Sequence, residues 1–186
     1  KMRTPVFNRK MHYIVKNPRW NVPPALYAKE YAHKSKSQLK KLGLRYNSEG
    51  KLYQPAGPRN ALGVVKFLFP NKFSVYMHDT PAKSLFNRNV RAYSHGCIRL
   101  EKPLALLNEL GYSYTGKKNT WITLKKKIPV YVEYHTVWVD DAGIVQFRND
   151  IYGYEKKLFS KAAYRPASVK VSKKKAVKKQ EAVELF

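Results

Sequence analysis

A mainly β domain with short helices, an α+β arrangement, is the fold class that this sequence predicts. Three observations carry the prediction. Short runs rich in β-branched and aromatic residues recur at 64–69, 73–78, 121–124, 129–139 and 144–148. Helix-favouring stretches are confined to 25–42 and 104–110. Clusters of Pro, Gly and Asn punctuate the chain at intervals that suit strands and turns.

Composition narrows the class further. A length of 186 residues suits one domain with a tail. Hydrophobic residues make up 44% of the chain, and 14 Tyr, 8 Phe and 3 Trp supply core material, which excludes wholesale disorder. A single Cys excludes an intramolecular disulfide framework and a multi-Cys metal site. No apolar run approaches the roughly 18 residues that a membrane-spanning helix needs. The 37 Lys and Arg against 12 Asp and Glu give a net charge of +25, which calls for an anionic partner. That charge first suggests nucleic acid, but the chain carries no zinc-finger, homeodomain or RNP-like signature, and no nucleic-acid partner is expected. Residues 1–45 hold 12 Lys/Arg and a single acid, Glu30, while 161–186 hold 8 Lys/Arg and 2 Glu. The chain starts without Met and without an apolar leader, so it reads as a piece of a longer protein.

In chain order, residues 11–15 form a first strand, ended by Asn17-Pro18. Pro23-Pro24 opens a helix over 25–42, since a missing N–H costs nothing in the first turn. Leu26, Tyr27, Tyr31, Leu39 and Leu42 form its packing face, Asn47–Gly50 is a turn, and 54–63 is loop. Residues 22–60 together read as an inserted lid. Val64–Phe69 is a strand. Phe73–His78 alternates with period two, which puts Phe73, Val75 and Met77 on one face and Ser74, Tyr76 and His78 on the other. A long loop over 80–96 follows. Pro103 opens a helix over 104–110, stopped by Gly111. Strands at 121–124, 129–139 and 144–148 follow, the last two joined by an Asp140–Gly143 turn. The compact domain is placed at 1–160, and 161–186 is a basic C-terminal tail.

Chemistry concentrates in Tyr76-Met77-His78-Asp79-Thr80-Pro81 and Ser94-His95-Gly96-Cys97-Ile98-Arg99. A thiol is a nucleophile only as thiolate, and a neighbouring imidazole or guanidinium raises that fraction. Gly96 permits unusual torsions just before the thiol. Consecutive N–H groups in such a turn can face a developing oxyanion. One Cys with a distant His is the arrangement of a cysteine acyl-transfer enzyme. The same Cys also fits a small buried hydrophobe. With His78, His95 and His135 it sketches a partial zinc site, although no closely spaced ligand pair supports one. Polar flanks and loop placement favour the acyl-transfer reading.

The run HDTPAKSLFNRNVRAYSHGCIRLEKP at 78–103 resembles the active-site signature of the L,D-transpeptidase (YkuD-type) catalytic domain. TPVF at 4–7, NPRWNVPP at 17–24, QPAGPRNALGVVKFLFPN at 54–71 and YHTVWVDDAGIVQFRNDIYG at 134–153 resemble its lid-bearing, YcbB-like branch. The resemblance implies a β-sandwich with an inserted helical lid. It makes Cys97 the nucleophile and His78 the general base. His95 and Gly96 then shape the loop, and the N–H groups of 95–97 offer an oxyanion hole. Tyr76 lines the pocket. Arg99 orients the motif or holds a substrate carboxylate, and Ser94 bonds within the loop or to an imidazole. The implied reaction joins peptidoglycan stem peptides through a thioester, forming a 3→3 cross-link with release of D-Ala. With water as acceptor the site is instead an L,D-carboxypeptidase. No metal or organic cofactor is implied, carbapenems are expected to acylate Cys97, and the periplasm or cell envelope is the expected location. In this family paired strands normally precede the Thr-Pro motif, and here three residues do. Those strands are expected either from the missing N-terminal part of the domain or from another chain, and the segment alone is expected to have an unpaired sheet edge.

Overall fold

A five-stranded sheet carries the residues of interest, and its two faces differ in chemistry. The computed structural model describes residues 3–156. The domain boundary at 160 and the basic tail at 161–186 therefore lie outside the described residues. In chain order the strands are β1 (Phe7–Lys16), β2 (Trp20–Asn21), β3 (Arg45–Tyr46), β4 (Leu52–Gln54), β5 (Val65–Leu68), β6 (Met77–His78), β7 (Ile98–Arg99), β8 (Thr120–Val132), β9 (Val137–Val139) and β10 (Val145–Phe147). The helices are α1 (Pro24–Leu26), α2 (Lys36–Lys41) and α3 (Pro103–Glu109), with a π-helical turn at Tyr27–Tyr31 and a 3₁₀ turn at Lys83–Asn87. This is the mixed, strand-dominated class that the patterning predicts. The chain divides into two compact units, one ending at Val132 and one starting at Glu133.

In the first unit the sheet order is β7-β6-β5-β1-β8, antiparallel except for the parallel pair β6 and β7. Pairing aligns Ile98, Met77, Phe67, Ile14 and Ile122 in one row across the sheet. Neighbouring residues along a strand face opposite ways, so this row shares a face with Val65, Phe69 and Leu124 and forms the core together with Leu107 of α3. Burying each large apolar side chain there contributes about 1.5–3 kcal/mol. The adjacent row, on the other face, is Arg99, His78, Lys66, Val15 and Trp121. β8 is an edge strand with Trp121 and Tyr131 exposed. Lys125–Lys127 and Pro129 lie along it, residues that discourage edge-to-edge pairing.

Several elements depart from the sequence reading. The first strand extends well beyond 11–15 in the N-terminal direction. The expected strands at 121–124 and 129–139 are divided differently. β8 runs unbroken through Lys125–Lys127, where its register against β1 shifts, and ends at Val132. The predicted strand at 73–78 keeps only its last two residues. Asn71 donates to the carbonyls of Phe69 and Val75 and accepts from the N–H groups of Phe73 and Val75, which curls the chain. Ser74 takes a positive φ of 56° there, and Phe73 is 44% exposed rather than aligned with buried Val75.

The predicted helix over 25–42 is also broken. Ser35 and Gln38 form a capping box that starts a new helix, α2, after the π-helical turn. The lid region is therefore not simply helical. It contains the sheet β2-β4-β3 and a small core of Val22, Leu39, Leu44 and Leu52, against which Trp20, Leu26, Tyr27 and Tyr31 pack. Leu42, assigned to the packing face, is 45% exposed. The 47–50 turn forms as expected, with the Asn47 side chain accepting from the N–H groups of Glu49 and Lys51. The 80–96 segment is loop apart from the 3₁₀ turn.

In the second unit β9 and β10 form the predicted hairpin. Asp140 Oδ1 accepts from the N–H groups of Ala142 and Ile144, and Gly143 supplies a φ of 75°. Tyr134 stacks on Tyr152 and donates its hydroxyl to Asp150.

Candidate active site

The end of β6 is fixed by a buried carboxylate. Asp79 Oδ2 accepts from Val64 N–H at 2.8 Å, and Oδ1 accepts from Thr80 N–H at 2.7 Å and pairs with Lys83 at 2.8 Å. Gly63 is required beside it. Its φ is 57°, and a Cβ there would overlap the Asp79 carboxylate. This clamp ties the start of β5 to the end of β6 and so fixes His78.

His78 is only 6% exposed. Its Nδ1 lies 2.5 Å from the Asp79 carbonyl oxygen. A carbonyl oxygen only accepts, so Nδ1 carries the proton and Nε2 keeps its lone pair. Burial, aided by the charges of Arg99 and Lys66, lowers the imidazole pKa to about 4 against the opposing pull of Asp79. At neutral pH it is therefore an uncharged proton acceptor.

Cys97 lies on the loop entering β7. Its Sγ is 3.7 Å from the Ser74 carbonyl oxygen, to which the S–H donates. Tyr76 is the neighbour whose backbone and hydroxyl act on the sulfur electrostatically. Burial pushes the thiol pKa up, while Tyr76 and the Lys66 charge pull it down. Tyr76 is itself held above its ordinary pKa, by burial first and then by the Cys97 charge, so its hydroxyl stays a donor. The Tyr76 and His78 ring centroids are 5.7 Å apart. Burial thus favours the uncharged form of both groups, the thiol and the imidazole.

The strand pairing brings Tyr76, His78, Cys97 and Arg99 together, because Ile98 N–H donates to Tyr76 O and Leu100 N–H to His78 O. Arg99 is half-buried beside His78 in the sheet row. The loop residues do something different. Gly96 has a φ of 113°. Its N–H donates to Ser94 Oγ at 3.1 Å, which places Ser94 in a bond within the loop. Of the three N–H groups expected to offer an oxyanion hole, that of Gly96 is engaged with Ser94 in this structure. His95 is exposed and its Nε2 lies 2.6 Å from Glu30 Oε1 in the π-helical turn of the lid.

Four residues at or around the site escaped the sequence reading: Gly63, Lys66, Asp79 and Glu30. Asp79 and Gly63 stand inside quoted motifs, but only the folded chain shows that they clamp two strands together. Glu30 was visible as the lone acid of a basic segment. Lys66 was hidden inside an apolar strand.

Fold and site together define a class: an α+β domain in which a single thiol sits beside a buried, strand-borne imidazole. The model of the YkuD L,D-transpeptidase catalytic domain matches residues 1–145, and the chain belongs to that family. It is also similar to a Haemophilus influenzae protein named "Putative L,D-transpeptidase", with 34% identity over 190 residues. The match takes in 84% of this chain and spans 38% of the relative's length.

Proposed function

We propose that this domain is a peptidoglycan L,D-transpeptidase of the cell envelope that forms 3→3 cross-links through a thioester on Cys97. The observation that carries the reading is the pairing of β6 with β7, which sets the Cys97 segment against the strand end that bears the neutral imidazole of His78 in a chain of this family. His78 Nε2 takes the Sγ proton as sulfur attacks the carbonyl carbon of the third stem residue. The N–H groups of 95 and 97 face the oxyanion. Collapse breaks the bond to D-Ala, whose amine leaves with the proton returned by His78, and a thioester remains. The amine of a neighbouring stem attacks that thioester and gives a proton to His78. The new amide forms as sulfur departs and is reprotonated. Arg99, half-buried with no carboxylate paired to it among the described residues, is free to hold a stem carboxylate.

Mass spectrometry of products from purified tetrapeptide muropeptides tests the reading. The expected product is a 3→3 dimer with released D-Ala, absent for Cys97→Ala. Tripeptide monomer without dimer would instead establish trimming, and no turnover would reject the reading. Carbapenem is expected to add its mass to the wild-type chain and not to Cys97→Ala.

A further inference from the structure

Lys66 is the one cation of the functional row that lies inside the sheet. It stands directly opposite His78 on β6, in the row that continues to Arg99 on β7. Its Nζ lies 5.6 Å from the Tyr76 ring centroid and 5.7 Å from that of Trp121, so two aromatic faces bracket the ammonium. It is half-buried, and among the described residues no carboxylate pairs with it. The one buried acid among the described residues, Asp79, is bound to Val64 N–H, Thr80 N–H and Lys83. A partly desolvated cation without a counter-anion is costly unless an anion forms beside it.

Tyr76 stands between Lys66 and the Cys97 segment, because its ring meets the ammonium while its carbonyl accepts from the N–H of Ile98, the residue after Cys97. We infer that Lys66 is the electrostatic partner of the Cys97 thiolate, a cation placed to compensate the charge on sulfur as its proton leaves. The inference rests on Cys97 being the nucleophile. It accounts for a lysine on the polar face of an otherwise apolar strand. It also offsets the burial that disfavours thiolate.

The titratable and charged groups around the thiol segment are Tyr76 and His78 of β6, Arg99 of β7, Lys66 of β5, and His95 of the loop with its partner Glu30. His78 titrates near 4, and Tyr76 is held well above its ordinary value. The His95–Glu30 pair is common to every variant, so a difference between their pH profiles reads the thiol and residue 66.

The test is the rate of Cys97 alkylation by iodoacetamide against pH, on the full chain, for wild type, Lys66→Met and Lys66→Arg. Sulfur displaces iodide, so the rate follows the thiolate fraction. For Lys66→Met the midpoint is expected to rise by about one pH unit, slowing alkylation about tenfold near neutral pH with an unchanged plateau at high pH. Lys66→Arg is expected to restore the wild-type profile. A Lys66→Met profile superimposed on wild type, or a Lys66→Arg profile shifted as far as the neutral variant's, would overturn the inference. Alkylation needs no peptide donor, so failure here is distinct from failure of the transpeptidase reading, which muropeptide turnover reports. If Lys66→Met does not fold, Lys66→Gln is the neutral variant, with the same shift expected and a wild-type profile overturning the inference.

Discussion

His78 and His95 both precede the same thiol in sequence, yet their surroundings differ. His78 ends a strand, buried, with Nδ1 committed to the Asp79 carbonyl and its neighbours locked by Asp79 and Gly63. His95 rides an exposed loop, and its polar contact reaches across to Glu30 in the lid. Sheet placement fixes the tautomer and suppresses the charge of the first imidazole. Loop placement leaves the second dependent on a partner from another element. The contrast teaches that the proposed proton acceptor is built on a buried strand end, while the loop that carries the proposed nucleophile is tethered from outside.

Replacing each imidazole tests that division, and the largest effect is expected at the strand. His78→Gln removes the acceptor and is expected to lower kcat about 10²–10⁴-fold on muropeptides. His95→Gln should cost far less, and equal losses would erase the distinction. Next comes Gly63→Ala, which sets a Cβ against the Asp79 carboxylate at positive φ. An expected loss of about 2–4 kcal/mol in urea unfolding follows from backbone strain and a disrupted buried carboxylate.

A pH effect of similar size belongs to His78. Its folded pKa of about 4 lies below the ordinary 6.5. The unfolded imidazole therefore binds a proton first as pH falls, and stability present above 6.5 is lost between 6.5 and 4. The loss should approach about 3 kcal/mol, and His78→Gln should remove that part of the slope in unfolding free energy. The smallest effect is expected at the lid. Glu30→Gln removes an exposed pair worth about 0.2–1 kcal/mol, so stability should barely move. A modest fall in kcat, matched by His95→Gln and not additive with it, would sharpen the view of that contact as a tether.

Much of the site was legible because it is local. Tyr76, His78, Cys97 and Arg99 fall in two short motifs, and their residue types state their chemistry. The parallel pairing of β6 with β7 that unites them is tertiary, as are the strand-opposite placement of Lys66 and the bond from Glu30. In the fold, the 64–69 strand, the 104–110 helix and the 140–143 turn were readable from local signals. The 73–78 strand misled because period-two alternation does not reveal that one Asn71 side chain satisfies four backbone groups and bends the chain. The long lid helix misled through composition, although Ser35 and Gln38 spell a capping box that marks a fresh start. Strands β3 and β4 are too short to show a period at all.

The central claim is that Cys97 forms an acyl-enzyme with a stem peptide. Its most direct test is intact-protein mass after brief exposure to a tetrapeptide muropeptide, quenched in acid to preserve a thioester, with released D-Ala assayed in parallel. The expected result is a mass gain equal to the donor less D-Ala, mapped to Cys97, with stoichiometric D-Ala and neither signal in Cys97→Ala. An unmodified chain with no D-Ala, or the same D-Ala release from Cys97→Ala, would contradict it.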